Sequence, residues 1–331
     1  MKNKQIEQGV SLYGFEQRFV EEQDYGIEEM FAELNKLGVS KFELVGSQVF
    51  SQYPRPKQEE IANVIDLAKK YNVTPFAYGG YIDRGRITGR AYTDEDVIYY
   101  VTADLMTARE LGCVCLRETN MPPHLLPRVA KLAEEFNVAV GIEVHSPARP
   151  GDKSIQNLLA IMDEINSPFL GLIPDFGCFI ERPVAFLIER HIANGADPKL
   201  IEYVIENRHN GFSEHEMIDK IRKMGGGEAE RGAIAEFFGM MTFGPADIDG
   251  FATLIHRTLY FHSKFYHVTV DLTDPQIPLE RLLNEIVKAK FSGVLMSEYE
   301  GHMFHLNDAH EQLERHLQLE NKILNSLNYN L

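Results

Sequence analysis

Glu143 and His145 close a short run of apolar, β-branched residues that begins at Val138 and includes Val140 and Ile142. In an extended chain they lie two residues apart and share one face. A carboxylate and an imidazole so placed are costly in a core and useful in a site. The pattern recurs downstream. Leu170–Ile173 runs on to Asp175, Thr258–Phe261 to His262, and Gly293–Met296 to Glu298. If these runs are neighbouring parallel strands, three carboxylates and an imidazole meet at one end of the sheet. Such a cluster repels itself unless a cation sits within it. Oxygen-rich ligation with one nitrogen suits Mn2+, Mg2+ or Co2+ and is compatible with Zn2+. With no cysteine in the set, a closed structural zinc site is not expected. A divalent ion of this kind is a Lewis acid; given a substrate with a ketone beside a hydroxyl, it would chelate both, acidify the C–H between them and stabilise an enediolate. Returning the proton to the other face gives epimerisation, and returning it to the next carbon gives isomerisation. Expulsion of a β-substituent makes the enzyme a lyase.

Several residues stand where they could serve that chemistry. His145 is placed to take the proton, although the same position suits a histidine that only positions substrate. Lys264 shares a face with His262 and could hold an oxyanion or pair with a carboxylate. Glu300 is a second acid or base, or a support for the ligands. Arg117 ends one strand-like run and Arg149 follows another, and each could face substrate or neutralise the acidic cluster. His302 and His305 read as pocket lining rather than ligands. Tyr78, Tyr81 and Asp83 could line a sugar pocket, with core packing the competing role for the tyrosines.

The elements that must bring these residues together alternate along the whole chain. Strand-like runs at Val10–Tyr13, Phe42–Val45, Val73–Tyr78, Cys113–Leu116, Val138–Ile142, Phe169–Ile173, Thr258–Phe261 and Gly293–Met296 are separated by segments of helical spacing. Thr93 is an N-cap signal for the helix ending at Leu111, with Gly112 past its end. Eight β/α units predict a closed (β/α)8 TIM barrel in one domain spanning 1–331. The open doubly wound alternative usually has a glycine-rich first turn, and here the first strand leads into Tyr13-Gly14-Phe15-Glu16. One connection is far too long for a crossover. Residues 176–257 read as several helices, broken at Gly225-Gly226-Gly227. A helical insertion from a βα loop belongs over the C-terminal mouth, as a lid, a substrate wall or a subunit interface.

A net charge of −16 argues against nucleic acid or an anionic membrane as partner. The N-terminus lacks the apolar run of a signal peptide, and no run approaches the roughly 20 residues that span a bilayer. Three cysteines do not make a disulfide framework; Cys113 and Cys115 read as small core residues, and a reducing cytoplasm is expected.

The segments Gly-Ile-Glu-Val-His (141–145), Gly-Leu-Ile-Pro-Asp-Phe-Gly (171–177), Phe-His-Ser-Lys-Phe (261–265) and Ser-Glu-Tyr-Glu-Gly (297–301) resemble the xylose-isomerase-like TIM-barrel superfamily of sugar isomerases and epimerases. The resemblance implies that Glu143, Asp175, His262 and Glu298 hold one divalent metal, with manganese the first expectation. Residues 176–257 have no counterpart in most simple epimerases. A narrower resemblance is to the catalytic subunit of bacterial C-glycoside deglycosidases. These share the barrel and an enlarged helical section, work with a small β-rich second subunit, and cleave the C–C bond between a 3-oxo-sugar and an aromatic aglycone. The expectation is therefore a carbon–carbon lyase acting on a 3-oxo-C-glycoside, within a hetero-oligomer. A plain sugar isomerase or epimerase and a non-catalytic sugar-binding subunit are the alternatives. A phosphodiester-cleaving nuclease of the same superfamily would call for a basic surface and more histidine ligands.

Overall fold

The computed structural model of the chain describes residues 6–82, 89–239, 243–304 and 309–327. Eight parallel strands form the centre: β1 Ile6–Ser11, β2 Lys41–Val45, β3 Thr74–Gly79, β4 Cys115–Glu118, β5 Ala139–Val144, β6 Leu170–Pro174, β7 Phe261–Phe265 and β8 Gly293–Tyr299. They pair in the order β6-β5-β4-β3-β2-β1-β8-β7. The ring is completed between β6 and β7 by isolated bridges, Leu172 to Thr258 and Asp175 to His262, rather than by a ladder. This is the expected (β/α)8 barrel.

The crossover helices are α1 Ile27–Lys36, α2 Gln58–Lys70, α3 Asp94–Leu111, α4 Leu126–Phe136 and α5 Lys153–Ile165. Between β6 and β7 lie α6 Ala185–Ala193, α7 Pro198–Asn207, α8 Glu214–Lys223, α9 Glu228–Gly239 and α10 Ile248–Leu254. α11 Leu279–Lys288 joins β7 to β8, and α12 Ala309–Ser326 follows β8. Local chemistry sets their ends. The Thr93 hydroxyl accepts from the Asp96 amide while the Asp96 carboxylate accepts from the Thr93 amide at 2.8 Å, a capping box at the start of α3. Gly112, at φ +83°, ends the same helix in the left-handed region. Each amphipathic helix buries one stripe on the sheet, as α11 does with Leu279, Leu282, Leu283 and Ile286. A small cluster, Ala77, Cys115, Ile173, Tyr260, Val294 and Met296, fills the barrel interior below the site. None of the helices among the described residues is long and apolar enough to cross a membrane.

The seventh and eighth strands differ from the sequence reading. β7 covers Phe261–Phe265 rather than Thr258–Phe261, and β8 runs on to Tyr299. The apolar pattern stops at His262 and Met296, but the ladder does not: His262 pairs with Met296, and Lys264 with Glu298. Polar side chains that turn into the barrel mouth interrupt the hydropathy signal without breaking the backbone pairing.

Candidate metal centre

β5, β7 and β8 present Glu143, His262 and Glu298, and the turn leaving β6 presents Asp175. One ligand atom from each lies within 4.8 Å of every other. His262 is wholly buried with its two nitrogens in different surroundings. Nε2 lies 3.0 Å from Glu43 Oε2, and Nδ1 faces Glu143 at 3.0 Å and Glu298 at 3.3 Å. Glu43 accepts a hydrogen bond from Nε2 and so turns the Nδ1 lone pair toward the other carboxylates. Asp175 is fixed through Oδ1, which accepts from the Gly177 amide at 2.6 Å.

The donor set fits a divalent ion. Asp175 Oδ2, His262 Nδ1 and Glu298 Oε2 are buried and make no well-aligned hydrogen bond; only charged neighbours meet them, with Lys264 Nζ 2.6 Å from Asp175 Oδ2 and 3.2 Å from Glu298 Oε2, and Glu143 3.0 Å from His262 Nδ1. Three such atoms in one cluster match oxygen-rich, single-nitrogen ligation. Without an ion, neighbouring cations carry the charge. Burial disfavours an imidazolium at His262, but Glu298 and Glu43 outweigh it and hold its pKa well above the usual value. Burial likewise works against a charged Glu298, and His262 and Lys264 override it, so the carboxyl stays well below its usual range. The Lys264 ammonium, also buried, sits 2.6 Å from Asp175, 2.9 Å from Glu300 and 3.2 Å from Glu298.

Above the cluster is a cavity of about 900 Å³ whose lining includes Glu143, Glu298, Glu300, Lys264, Arg117 and His145. His145 Nδ1 lies 2.6 Å from the Ser146 carbonyl, and Nε2 lies 3.1 Å from Lys264 Nζ. A carbonyl only accepts, so the neutral ring carries its proton on Nδ1 and offers a lone pair at Nε2. Burial and the neighbouring carboxylates raise the Glu300 pKa, with Lys264 opposing. A second cavity of about 570 Å³ shares Tyr13, His145, Ser146, Pro147 and Glu300 with the first. Its other walls are mainly apolar: Ile180, Leu187 and Gly239 from the long connection, Tyr266 after β7, and Met303 and Phe304 after β8, with Glu236 adding a carboxylate.

The remaining sequence candidates scatter. Arg117 lines the first cavity, but its guanidinium is committed to Glu143 at 2.8 Å and to Glu43 at 3.2 Å. Tyr81 lines it too. Tyr78 does not. The β3 register turns Ala77 inward, so the Tyr78 ring goes to the layer between sheet and helices, wholly buried and stacked near Phe50. Arg149 is also displaced from the expected place, because its loop carries it to a separate cavity beside Arg208 and His209. His302 packs edge-on against Tyr13, 5.3 Å between ring centres. His305 and Asp83 lie outside the described residues. Glu43 and Tyr13 were missed. A lone glutamate inside Phe42-Glu43-Leu44 carried the same signal as the four ligands; Tyr13, just past the first strand, carried none beyond its position.

No protein-family model matches the chain. It is 24% identical over 322 residues to a Microbacterium protein named 3'-dehydrocarminate deglycosidase alpha subunit, covering 92% of this chain and 91% of that one. It is 24% identical over 310 residues to a C-glycoside deglycosidase alpha subunit of Arthrobacter globiformis, with 89% and 84% covered. Among solved structures, an L-ribulose 3-epimerase superposes with a TM-score of 0.58 at 10% identity, covering 98% of this chain and 96% of that one. A sugar phosphate isomerase/epimerase from Parabacteroides distasonis gives 0.55 at 10% identity, with 98% and 96% covered. The chain is thus similar over most of its length to proteins named C-glycoside deglycosidase alpha subunits, and it shares its barrel fold with solved structures of an L-ribulose 3-epimerase and a sugar phosphate isomerase/epimerase.

Proposed function

We propose that the protein is a metal-dependent carbon–carbon lyase that releases the aglycone of a 3-oxo-C-glycoside. Glu143, Asp175, His262 and Glu298 would hold the ion, Mn2+ in the first instance. When bound, it supplies positive charge to the oxygens of a ketone and its neighbouring hydroxyl. His145 Nε2 takes the proton from the carbon between the ketone and the glycosidic carbon. The electron pair of that C–H becomes a new C=C bond, the C–C bond to the aglycone breaks, and a proton is delivered to the released aglycone carbon. Lys264, 3.1 Å from His145 Nε2, keeps positive charge beside the base. Burial opposes that charge, and Asp175, Glu298 and Glu300 hold the ammonium protonated despite it.

The observation that carries this reading over a plain isomerase is the second, apolar cavity sharing His145 with the polar one. A free ketohexose has no group to fill it, whereas a glycoside places sugar in one lobe and aromatic aglycone in the other. Residues 176–257, through Ile180 and Leu187, are then a substrate wall over the mouth. The alpha-subunit names of the relatives support a second subunit here as well.

The test is incubation of manganese-loaded protein, with and without a candidate partner subunit, with 3-oxo-C-glucosides and with free ketohexoses. Aglycone release together with deuterium uptake at the carbon beside the ketone is the expected result. Epimerised or isomerised ketohexose, with intact glycoside, would refute the lyase assignment.

A further inference from the structure

The loop after β5 and the end of α7 build a second polar site that the chemistry above does not use. Arg149, Arg208 and His209 line a cavity of about 490 Å³ together with Phe212, Ser213 and Phe243. Among the described residues a carboxylate is absent from its lining. That is unusual in a chain with 49 acidic and 33 basic residues. Elsewhere arginines find acids: Arg90 pairs with Asp96, Arg128 with Glu95, Arg182 with Glu202, and Arg257 with Asp163. Neither Arg149 nor Arg208 has a carboxylate partner among the described residues. Arg208 is held by the Phe237 carbonyl at 3.3 Å and lies over the Phe238 ring at 4.1 Å. The carboxylate of Asp152 accepts from the Arg149 backbone amide, not from its guanidinium.

The basic side chains lie close together. A Cβ built on Gly244 would stand 2.9 Å from a terminal nitrogen of Arg149 and 2.7 Å from His209 Nδ1, so both side chains pack against the bare glycine and are held next to each other. The surroundings work against positive charge: burial, then Arg208 and Arg149, lower the His209 pKa, and burial and then Arg149 lower that of Arg208. Like charges gathered without a counterion are the electrostatic complement of an anion.

We propose that this cavity binds the phosphate of a phosphorylated small molecule. Two guanidiniums match the charge of a phosphate monoester dianion, and each presents a planar fork suited to its oxygens. The volume exceeds what a bare phosphate needs and falls in the range of small-molecule pockets, and Phe212 and Phe243 give the organic part an apolar wall.

Calorimetric titration of the metal-loaded protein tests this, with phenyl phosphate, benzoate and inorganic phosphate as probes. Phenyl phosphate should bind saturably and at least about tenfold more tightly than benzoate, since tenfold is one good charge-assisted contact. Arg208→Gln should weaken phenyl phosphate by about tenfold or more. Gly244→Ala, whose methyl would push Arg149 and His209 aside without changing charge, should weaken it as well. Arg128→Gln, at an arginine that pairs with Glu95 away from this cavity, should leave the affinity unchanged. Absence of saturable phenyl phosphate binding would overturn the proposal. So would binding that survives both Arg208→Gln and Gly244→Ala, or binding weakened as much by Arg128→Gln as by Arg208→Gln.

Discussion

Glu43→Gln tests whether the cluster is a metal centre whose histidine is oriented from behind. Glu43 is wholly buried and accepts from His262 Nε2 at 3.0 Å, Arg117 Nε at 3.2 Å and Ser11 Oγ at 3.3 Å, as well as from the Tyr260 hydroxyl. Glutamine keeps the shape and removes the charge. Its amide nitrogen must also take the place of one oxygen, so a donor then faces either His262 and Tyr260 or Arg117 and Ser11. Nε2–H loses a charged acceptor, and the Nδ1 lone pair becomes both less basic and less firmly aimed. Loss of such a supporting carboxylate typically costs 10–100-fold in metal affinity, or about 1.4–2.7 kcal/mol. The assay is titration of metal-stripped protein with Mn2+ against a chelating indicator, with circular dichroism to check the fold. Asp274→Asn is the matched control. It removes the charge of a half-buried carboxylate, whose hydrogen bonds come from the Gln276 and Ile277 amides, and should leave Mn2+ affinity unchanged. A Glu43→Gln protein that binds Mn2+ within about threefold of the parent would refute the orienting role.

Other substitutions separate the remaining roles. His145→Ala should keep bound metal and lose about 10²–10⁴-fold in kcat, read by aglycone release and by deuterium exchange beside the ketone; unchanged exchange would place the base elsewhere. Met303→Glu, at an exposed position on the apolar lobe, should raise KM for aromatic C-glycosides and leave solvent exchange into free 3-oxo-sugars unaltered. Burial raises the Glu118 carboxyl to about 8, against the opposing effects of Asp104 and Arg117, from 4.5 for an unperturbed glutamate. The folded state therefore keeps a proton that the unfolded chain has released, so the contribution of this carboxyl to stability is full below about pH 4.5 and is lost as pH rises to about 8. Glu118→Gln should flatten this decline in Tm between pH 5 and 8 and be the more stable protein at pH 8; parallel curves for both proteins would refute it.

The barrel was legible because each strand is a short apolar run and each helix keeps a single buried stripe. The four-residue cluster was legible for a related reason: acids and a histidine ended runs that had no other use for them. The same rule should have picked Glu43, but that residue sits inside its run rather than at its end, so the pattern looked like an imperfect strand. Tyr78 and Arg149 failed for geometric reasons. Alternation along β3 decides whether Tyr78 turns inward or outward, and the register comes from pairing with β2 and β4, not from local sequence. Arg149 follows a loop whose course depends on where the long connection packs. The apolar lobe was equally hidden, because its walls come from segments as distant in sequence as Ile180, Tyr266 and Phe304.

The place of that long connection follows from the barrel itself. Seven neighbouring strand pairs are joined by ladders, and β6 and β7 only by two isolated bridges. Replacing a crossover of about a dozen residues with the 86 residues between Pro174 and Phe261 is under three doublings, or about 2 kcal/mol of loop-closure entropy. The connection offsets this with a core of its own, in which α9 packs on α6, α7 and α8 and buries Ile201, Val204, Ile221, Ile234 and Phe237. Each such side chain is worth roughly 1.5–3 kcal/mol when buried. The closure cost of the length is thus small beside that burial, and the least-paired part of the barrel is the seam. One of the two bridges there joins Asp175 to His262, both members of the candidate metal cluster. An ion held by both would reinforce that single bridge, at the point where the connection with Ile180 and Leu187 departs. Metal binding would then bear on closure of the barrel and on the position of the apolar wall through the same pair of residues.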